Sequence, residues 1–524
     1  MALTRRNFLI QVGQAGGYGA AFTMMQSLGL LPVAASKAAT VQMSPGSGNG
    51  TKVVILGGGI AGLVSAYELG KLGYTCTLLE ARDRVGGRNW TIRKDCQVEF
   101  TSGVRQGCSF TEGLYMNAGP ARLPSVHETM LGYCRELGVP LEVEVNTSRS
   151  ALLQSDQLNG GKAVRNRQVD YDTRGHVSEL LAKCVQRGAL DQELTPGDKE
   201  QMLEFLRQYG DLSPDLFYKG SERTGYKVNP DAGDQAGIYN DPLDMHALLT
   251  ADLWKGLLVE DVIDWQATMF QPIGGMDQIP MAFKKCLGSV VRYRAEVVQL
   301  RQNASGVRVV YLDQVKGKHE TVAADYCICA MPLTMLKSLD ADFSPDLKAV
   351  IDGATYDSAY KIGWEARRFW EQEYHIYGGI SYLQQTVDTV WYPSASLFSE
   401  RGVVLSGYSI ENGSEFGRLP DMQSKLDASR KSIELLHPGR SRELENPIYV
   451  SWGQIPYNLG SWVSPFDFGA TKEYQRLIQP EGRVYFAGDH TSHLVGWQEG
   501  AALSAHRALN LIGARVAQAK TAVV

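Results

Sequence analysis

The chain has no C-x-x-C pair, no low-complexity tract, no internal repeat and no basic block beyond a local pair or two. Its eight cysteines are scattered through 524 residues, so a disulfide framework is not indicated at this size. Free, buried thiols are expected, with Cys327 and Cys329 inside "YCICAMP", which reads as a buried strand. A net charge of −5 without a basic stripe argues against a nucleic-acid surface. His490 and His493 in "HTSH" give two ligands in one turn, too few for a metal site. No nucleophile–base triad can be assembled. What remains is an ordinary globular composition, 44% hydrophobic and 21% charged, in a chain long enough for two or three domains.

The N-terminus stands apart. "TRRNFL" at 4–9 precedes a weakly apolar run ending in "LLPVAASKAA". Two arginines, a modest apolar core and small residues near Ala35 or Ala39 resemble a twin-arginine export signal over residues 1–39. The alternative is a basic helical start that stays on the protein. Those residues hold Arg5, Arg6, Lys37 and no acid, so their removal would take the charge from −5 to −8. Such export carries folded proteins and implies a periplasmic or secreted destination. No later run is long and apolar enough to span a membrane.

"TKVVILGGGIAGLVSAYELGKLGYTCTLLEARDRVGGR" at 51–88 is a whole β-α-β unit. "KVVIL" reads as a parallel strand covered on both faces. Gly57, Gly59 and Gly62 form G-x-G-x-x-G around Ile60 and Ala61. Gly57 permits the tight turn, Gly59 lets backbone approach a pyrophosphate, and Gly62 lets the helix lie on the strand. Glu80, followed by Ala81 and Arg82, ends the second strand where a carboxylate meets a ribose and disfavours a 2′-phosphate. The second glycine turn, through Gly86, Gly87 and Arg88, exceeds what a nicotinamide site needs and points to the longer FAD.

Residues 151–265 show helical periodicity and read as a helical insertion. Strand-like runs return around 293–331 and again between 376 and 410, the latter as an antiparallel sheet. The C-terminus reads as a strand, a Gly-Asp turn, a loop and a helix.

The glycine unit, "QPIGGMDQIP" at 271–280, "AEVVQL" at 295–300, "CAMPLTML" at 329–336, "YKIGWEARRFW" at 360–370 and "YFAGDHTS…GWQEGAALSAHRA" at 485–508 together resemble the flavin monoamine oxidase superfamily, and within it the L-amino-acid oxidases. The resemblance implies an α/β fold with a Rossmann-like FAD domain (51–125, 266–335, 470–515), a mixed-sheet substrate domain (126–150, 336–469) and the helical domain at 151–265. It places Gly119, Pro120, Ala121, Gly488 and Asp489 along the flavin and the Val297 backbone at the adenine. The family more often has glutamate at position 489. Dimers are common among relatives.

It further implies that Arg122, in "GPARLP", clamps a substrate carboxylate, where a planar guanidinium can make two parallel hydrogen bonds; the alternative is a surface or ion-paired arginine. Tyr408 would be the second carboxylate donor, or else a sheet-surface tyrosine. The Gly496 carbonyl would orient the amine, with Trp497 and Trp462 as aromatic walls, or as plain core. Lys361 would hold a water near flavin N5, or be an ordinary strand lysine. His127 begins a helix near Arg122. Ser461 stands where monoamine oxidases carry the cysteine that bonds the flavin, so non-covalent FAD is expected. The implied reaction is oxidation of L-amino acids to 2-oxo acids, ammonia and hydrogen peroxide, with Cα–H passing as hydride from a neutral amine. A decarboxylating amino-acid 2-monooxygenase, an oxidase of carboxylate-free amines and a flavin-binding protein without turnover remain as alternatives.

Overall fold

The computed structural model describes residues 41–464 and 471–521; the "TRRNFL" segment lies outside them. Strand Lys52–Leu56 is the middle of a five-stranded, wholly parallel sheet. Its neighbours on one side are Thr75–Leu79 and Val291–Arg292, and on the other Tyr326–Cys329 and Val484–Phe486. Both faces are covered, which is why the run is apolar throughout rather than alternating. Val53 and Ile55 enter one core with Leu63, Leu69, Phe283 and Leu509, beneath helices Ile60–Lys71, Gln278–Leu287 and Gln498–Thr521. Val54 and Leu56 enter another with Leu300, Val309, Cys327 and Cys329, beneath the antiparallel strands Ala295–Gln302, Val307–Asp313 and Lys318–Ala324. One sheet, built from stretches far apart in the chain, therefore carries a layer on each face.

A seven-stranded mixed sheet forms the second body of structure. Its order is Val164–Arg165, Leu152–Gln154, Gly379–Leu383, Thr389–Tyr392, Arg401–Ile410, Ala359–Arg367, Glu445–Ser451. Its pairings are antiparallel except for Leu152–Gln154 against Gly379–Leu383. This corrects the expectation of a helical stretch starting at 151. The "ALL" of "ALLQ" is a short, fully buried apolar run, and such runs do not distinguish strand from helix by pattern. The helices begin at Asn166, with Asn166–Gln186 and Pro196–Tyr209. A small hairpin, Tyr226–Val228 with Ile238–Tyr239, interrupts them further. The cysteines are free, but Cys184 and Cys286 are exposed, because each falls on the outward face of its helix.

A three-stranded antiparallel sheet sets Leu123–Pro124 and Leu141–Glu144 on either side of Met269–Pro272. It holds the residue just before it, Arg122, in place. Among the described residues no helix is long and apolar enough to cross a membrane, and no acid, histidine and cysteine cluster could hold a metal.

Candidate active site

A cavity of about 880 Å³ runs from the glycine turn to the seven-stranded sheet. At its first end Gly57 has φ +99°, and a Cβ there would lie 3.1 Å from the Ala330 carbonyl. A Cβ on Gly62 would collide with the Gly57 carbonyl, so the helix rests directly on the strand end. Gly62 is itself beneath the turn, whereas Gly57, Gly59, Ile60 and Ala61 line the cavity. Gly59 is the N-cap of the helix and no side chain caps it; a Cβ there would meet nothing within 4 Å. Free N–H groups and open space at a helix N-terminus suit a pyrophosphate.

Glu80, Ala81 and Arg82 line the same end. The Glu80 carboxylate accepts from Gly58 N at 2.7 Å and Arg82 N at 2.9 Å, tying the second strand to the glycine turn. A carboxylate has about four acceptor sites, so capacity remains for a ribose hydroxyl. Arg82 donates to Asn458 Oδ1 at 2.6 Å. The second turn lies on the first: Gly86 N donates to Gly58 O at 2.7 Å, and a Cβ on Gly87 would sit 3.4 Å from Gly59 Cα. Val297 reaches the lining at a bulge in its strand.

Midway along, Arg88 forms a fork on Asp489, with Nη1 3.0 Å from Oδ2, and Asp489 also accepts from Gly496 N at 2.9 Å. Burial alone would raise the Asp489 carboxyl, but the guanidinium outweighs it and holds it below the usual range. Gly119, Pro120, Ala121 and Gly488 complete this part of the wall. Ser461 lines it too, with its hydroxyl donating to Asp357 O at 2.7 Å and accepting from Ala359 N at 2.5 Å.

The far end is aromatic. Arg122 is only 6% exposed, so it is not a surface arginine. Its guanidinium carbon stands 4.0 Å from the Trp265 ring centroid and 4.6 Å from that of Trp391. Nη1 donates to Asn146 Oδ1, and among the described residues Arg122 takes part in no ion pair. Burial pushes its pKa below the ordinary value. Tyr408 pairs in register with Lys361 on the neighbouring strand and meets Trp391 edge-on at 5.1 Å. Lys361 Nζ donates to the carbonyls of Gly119, at 2.5 Å, and Asn117, at 3.0 Å. Burial first, and Arg122 second, push the Lys361 pKa down to about 7.

Gly496 adopts φ +80°, and a Cβ there would touch the Trp462 indole at 3.7 Å. Trp462 is anchored by Nε1 donating to Asp357 Oδ2 at 2.9 Å. Trp497 stands edge-on to His127 at 4.8 Å and to Trp265 at 6.3 Å. His127 lies outside the lining, its Nε2 3.1 Å from Asp264 Oδ1. That pair fixes the turn that carries Trp265, and Asn146 Nδ2 adds a 3.4 Å bond to the Trp265 carbonyl. Asn146, Trp265 and Trp391 were not singled out by the sequence. Trp391 sits in a run that reads only as strand, and Trp265 in a stretch without a motif.

A model of the flavin containing amine oxidoreductases matches residues 60–512. The chain belongs to that family. It is an FAD-dependent oxidase, and the glycine turns, the uncapped helix and the long cavity fit the dinucleotide. L-amino-acid oxidase of Pseudechis australis is 25% identical over 477 residues, covering 88% of this chain and 87% of the relative. That of Bungarus fasciatus is 27% identical over 462 residues, covering 86% and 84%. The solved structure of putrescine oxidase bound to putrescine superposes with a TM-score of 0.56 at 18% identity, over 89% of this chain and 99% of the other. Amine oxidoreductases of this family share the fold described above, and a small molecule and oxygen are the reactants.

Proposed function

We propose that the chain oxidises L-amino acids to 2-oxo acids, ammonia and hydrogen peroxide. The observation that carries this is Arg122: a buried guanidinium, seated over two indoles, lining the cavity with an amide rather than an acid on its fork. Such a group calls for an anionic guest, and an amino acid's carboxylate supplies one. Two of the relatives above bear the same activity in their names.

In this reading Arg122 and the Tyr408 hydroxyl hold the carboxylate, the Gly496 carbonyl orients the amine, and Trp497 and Trp462 exclude water. Gly57, Gly59, Ile60 and Ala61 take the pyrophosphate of FAD, with Gly62 beneath them seating the helix on the strand, Glu80 to Arg82 its ribose, and the Val297 backbone its adenine. Gly87, Arg88, Gly119, Pro120, Ala121, Gly488 and Asp489 line its remaining length. Bound FAD supplies the acceptor for two electrons, which oxygen then collects. The Ser461 hydroxyl, engaged twice with backbone, leaves the cofactor non-covalent. Lys361 in its neutral form uses both N–H bonds on carbonyls and keeps a lone pair at Nζ for a proton. "TRRNFL" favours an exported protein.

The test is a peroxide assay over L- and D-amino acids and simple amines. Peroxide from L-amino acids alone is expected. An amide product without peroxide would indicate the decarboxylating monooxygenase, and turnover of simple amines would overturn the carboxylate clamp.

A further inference from the structure

Behind the guanidinium lies a second charge that the reaction above does not use. Glu144 ends the strand Leu141–Glu144, opposite Met269, and Met269 also pairs with Pro124, two residues past Arg122. The same small sheet therefore fixes both backbones. Glu144 is 9% exposed, and its Oε2 has no hydrogen-bond partner. A buried carboxylate with a bare oxygen survives only beside positive charge.

The charged groups that reach it are Arg122 and Lys361, both lining the cavity. Burial raises Glu144 to about 7, and the two cations oppose that rise. Its ladder partner Met269 is neutral. Glu142, on its own strand, is occupied by the Gln271 amide at 3.0 Å. Arg122 spends its hydrogen bond on Asn146 and not on Glu144, so the acid balances the guanidinium through space without closing its fork.

We propose that Glu144 is a positioning residue that balances Arg122 in the absence of substrate and takes up one proton when a carboxylate docks on that arginine. This rests on the clamp reading above. The arriving anion adds a like charge near Glu144 and claims the guanidinium that had stabilised it; both effects favour the neutral acid. The balance is simple: a solvent proton bonds to a Glu144 oxygen, and no other bond changes. Carboxylate binding is then strongest below about 7. It weakens as pH rises further, by roughly tenfold per pH unit at the most.

Lys361 would gain a proton by the same logic, so the assay must see the carboxyl itself. The holoenzyme is titrated with 3-phenylpropanoate, a carboxylate that lacks the amine, and followed by difference infrared spectroscopy. The ligand is labelled with carbon-13 at its carboxyl to separate its own band. Calorimetry at neutral pH in phosphate and in Tris counts the protons. A new protonated-carboxyl band from the protein, and an uptake of roughly half a proton or more per site, are expected. The band should vanish in Glu144→Gln, whose Kd should vary less with pH, and return in Glu144→Asp. Absence of the band in the wild type, a readout that needs no variant, overturns the proposal, as does its persistence in Glu144→Gln. A ligand that fails to bind the wild type, or binds Arg122→Met equally well, overturns the clamp reading and this proposal with it.

Discussion

Replacing Arg122 by methionine keeps a long apolar side chain against Trp265 and Trp391 and removes only the charge and its fork. The guanidinium is 6% exposed and partnered by a neutral amide, so solvent cannot substitute for it. Truncating one side of a buried, hydrogen-bonded charge pair costs about 2–5 kcal/mol. That corresponds to a loss of roughly thirty- to several thousandfold in kcat/KM for an L-amino acid. The informative comparison is L-phenylalanine against 2-phenylethylamine, which differ by the carboxylate alone. Their ratio of kcat/KM should be large in the wild type and collapse in Arg122→Met. Peroxide release measured with both compounds, at saturating oxygen, gives the ratio directly. An equal fall for both would mean that the arginine supports the fold or the cofactor rather than the substrate. An unchanged amino-acid rate would refute the argument outright.

Lys361, with its pKa near 7, is charged below that value and neutral above it. Electron transfer to oxygen, which a nearby cation assists, should therefore slow as pH rises through about 7, while the flavin-reduction rate at saturating amino acid rises because the neutral amine reacts. Lys361→Met should lower the oxygen step roughly a hundredfold and flatten its pH profile in stopped-flow reoxidation. Gly62→Ala would press a Cβ into the Gly57 carbonyl, and the purified protein should lack the yellow chromophore. Acid precipitation of the wild type should leave all flavin in the supernatant, since Ser461 offers no sulfur. Burial alone would raise Glu365, but Thr111, Asn446 and Arg401 outweigh it and hold the carboxyl at about 2. Its contribution is present above the usual carboxylate range and lost as pH falls toward about 2. Glu365→Gln should therefore cost about 2 kcal/mol at neutral pH, with the difference in Tm shrinking as the solution is acidified.

The glycine turn was legible because few residues tolerate its backbone. Gly57 needs a positive φ, and Gly62 needs no side chain at all. The parallel strand was legible because burial on two faces erases alternation. Arg122 stood out as a lone charge between two prolines. Its setting did not, because Asn146, Trp265 and Trp391 converge on it from three separate elements, each with an unremarkable local pattern. Glu144 reads as one of two acids in "LEVEV", and only the fold distinguishes it from the half-buried Glu142, whose carboxylate accepts from the Gln271 amide. Leu152–Arg165 misled for the opposite reason: its apolar run is too short to show a period, and its pairing partner lies more than two hundred residues away.

The charges at the substrate end set a further constraint. Arg122 keeps its charge at any physiological pH, whereas Lys361 and Glu144 both stand near 7. Without substrate, an ionised Glu144 and a neutral Lys361 leave the site close to neutral, which a buried cavity requires. An amino acid brings one negative and one positive group. The negative group can be matched by Arg122 only if Glu144 gives up its claim, and the positive group must lose a proton before it reacts. A protonated Glu144 and a proton-accepting Lys361 Nζ meet both demands within one pocket, and the positive charge the amine brought then rests on Lys361 rather than on the reacting nitrogen. An amine without a carboxylate meets neither: it would leave Arg122 balanced by Glu144 and add its own positive charge beside them. On the proposed reading, preference for amino acids over amines belongs to all three side chains, and changing any one of them should alter it through pH as well as through rate.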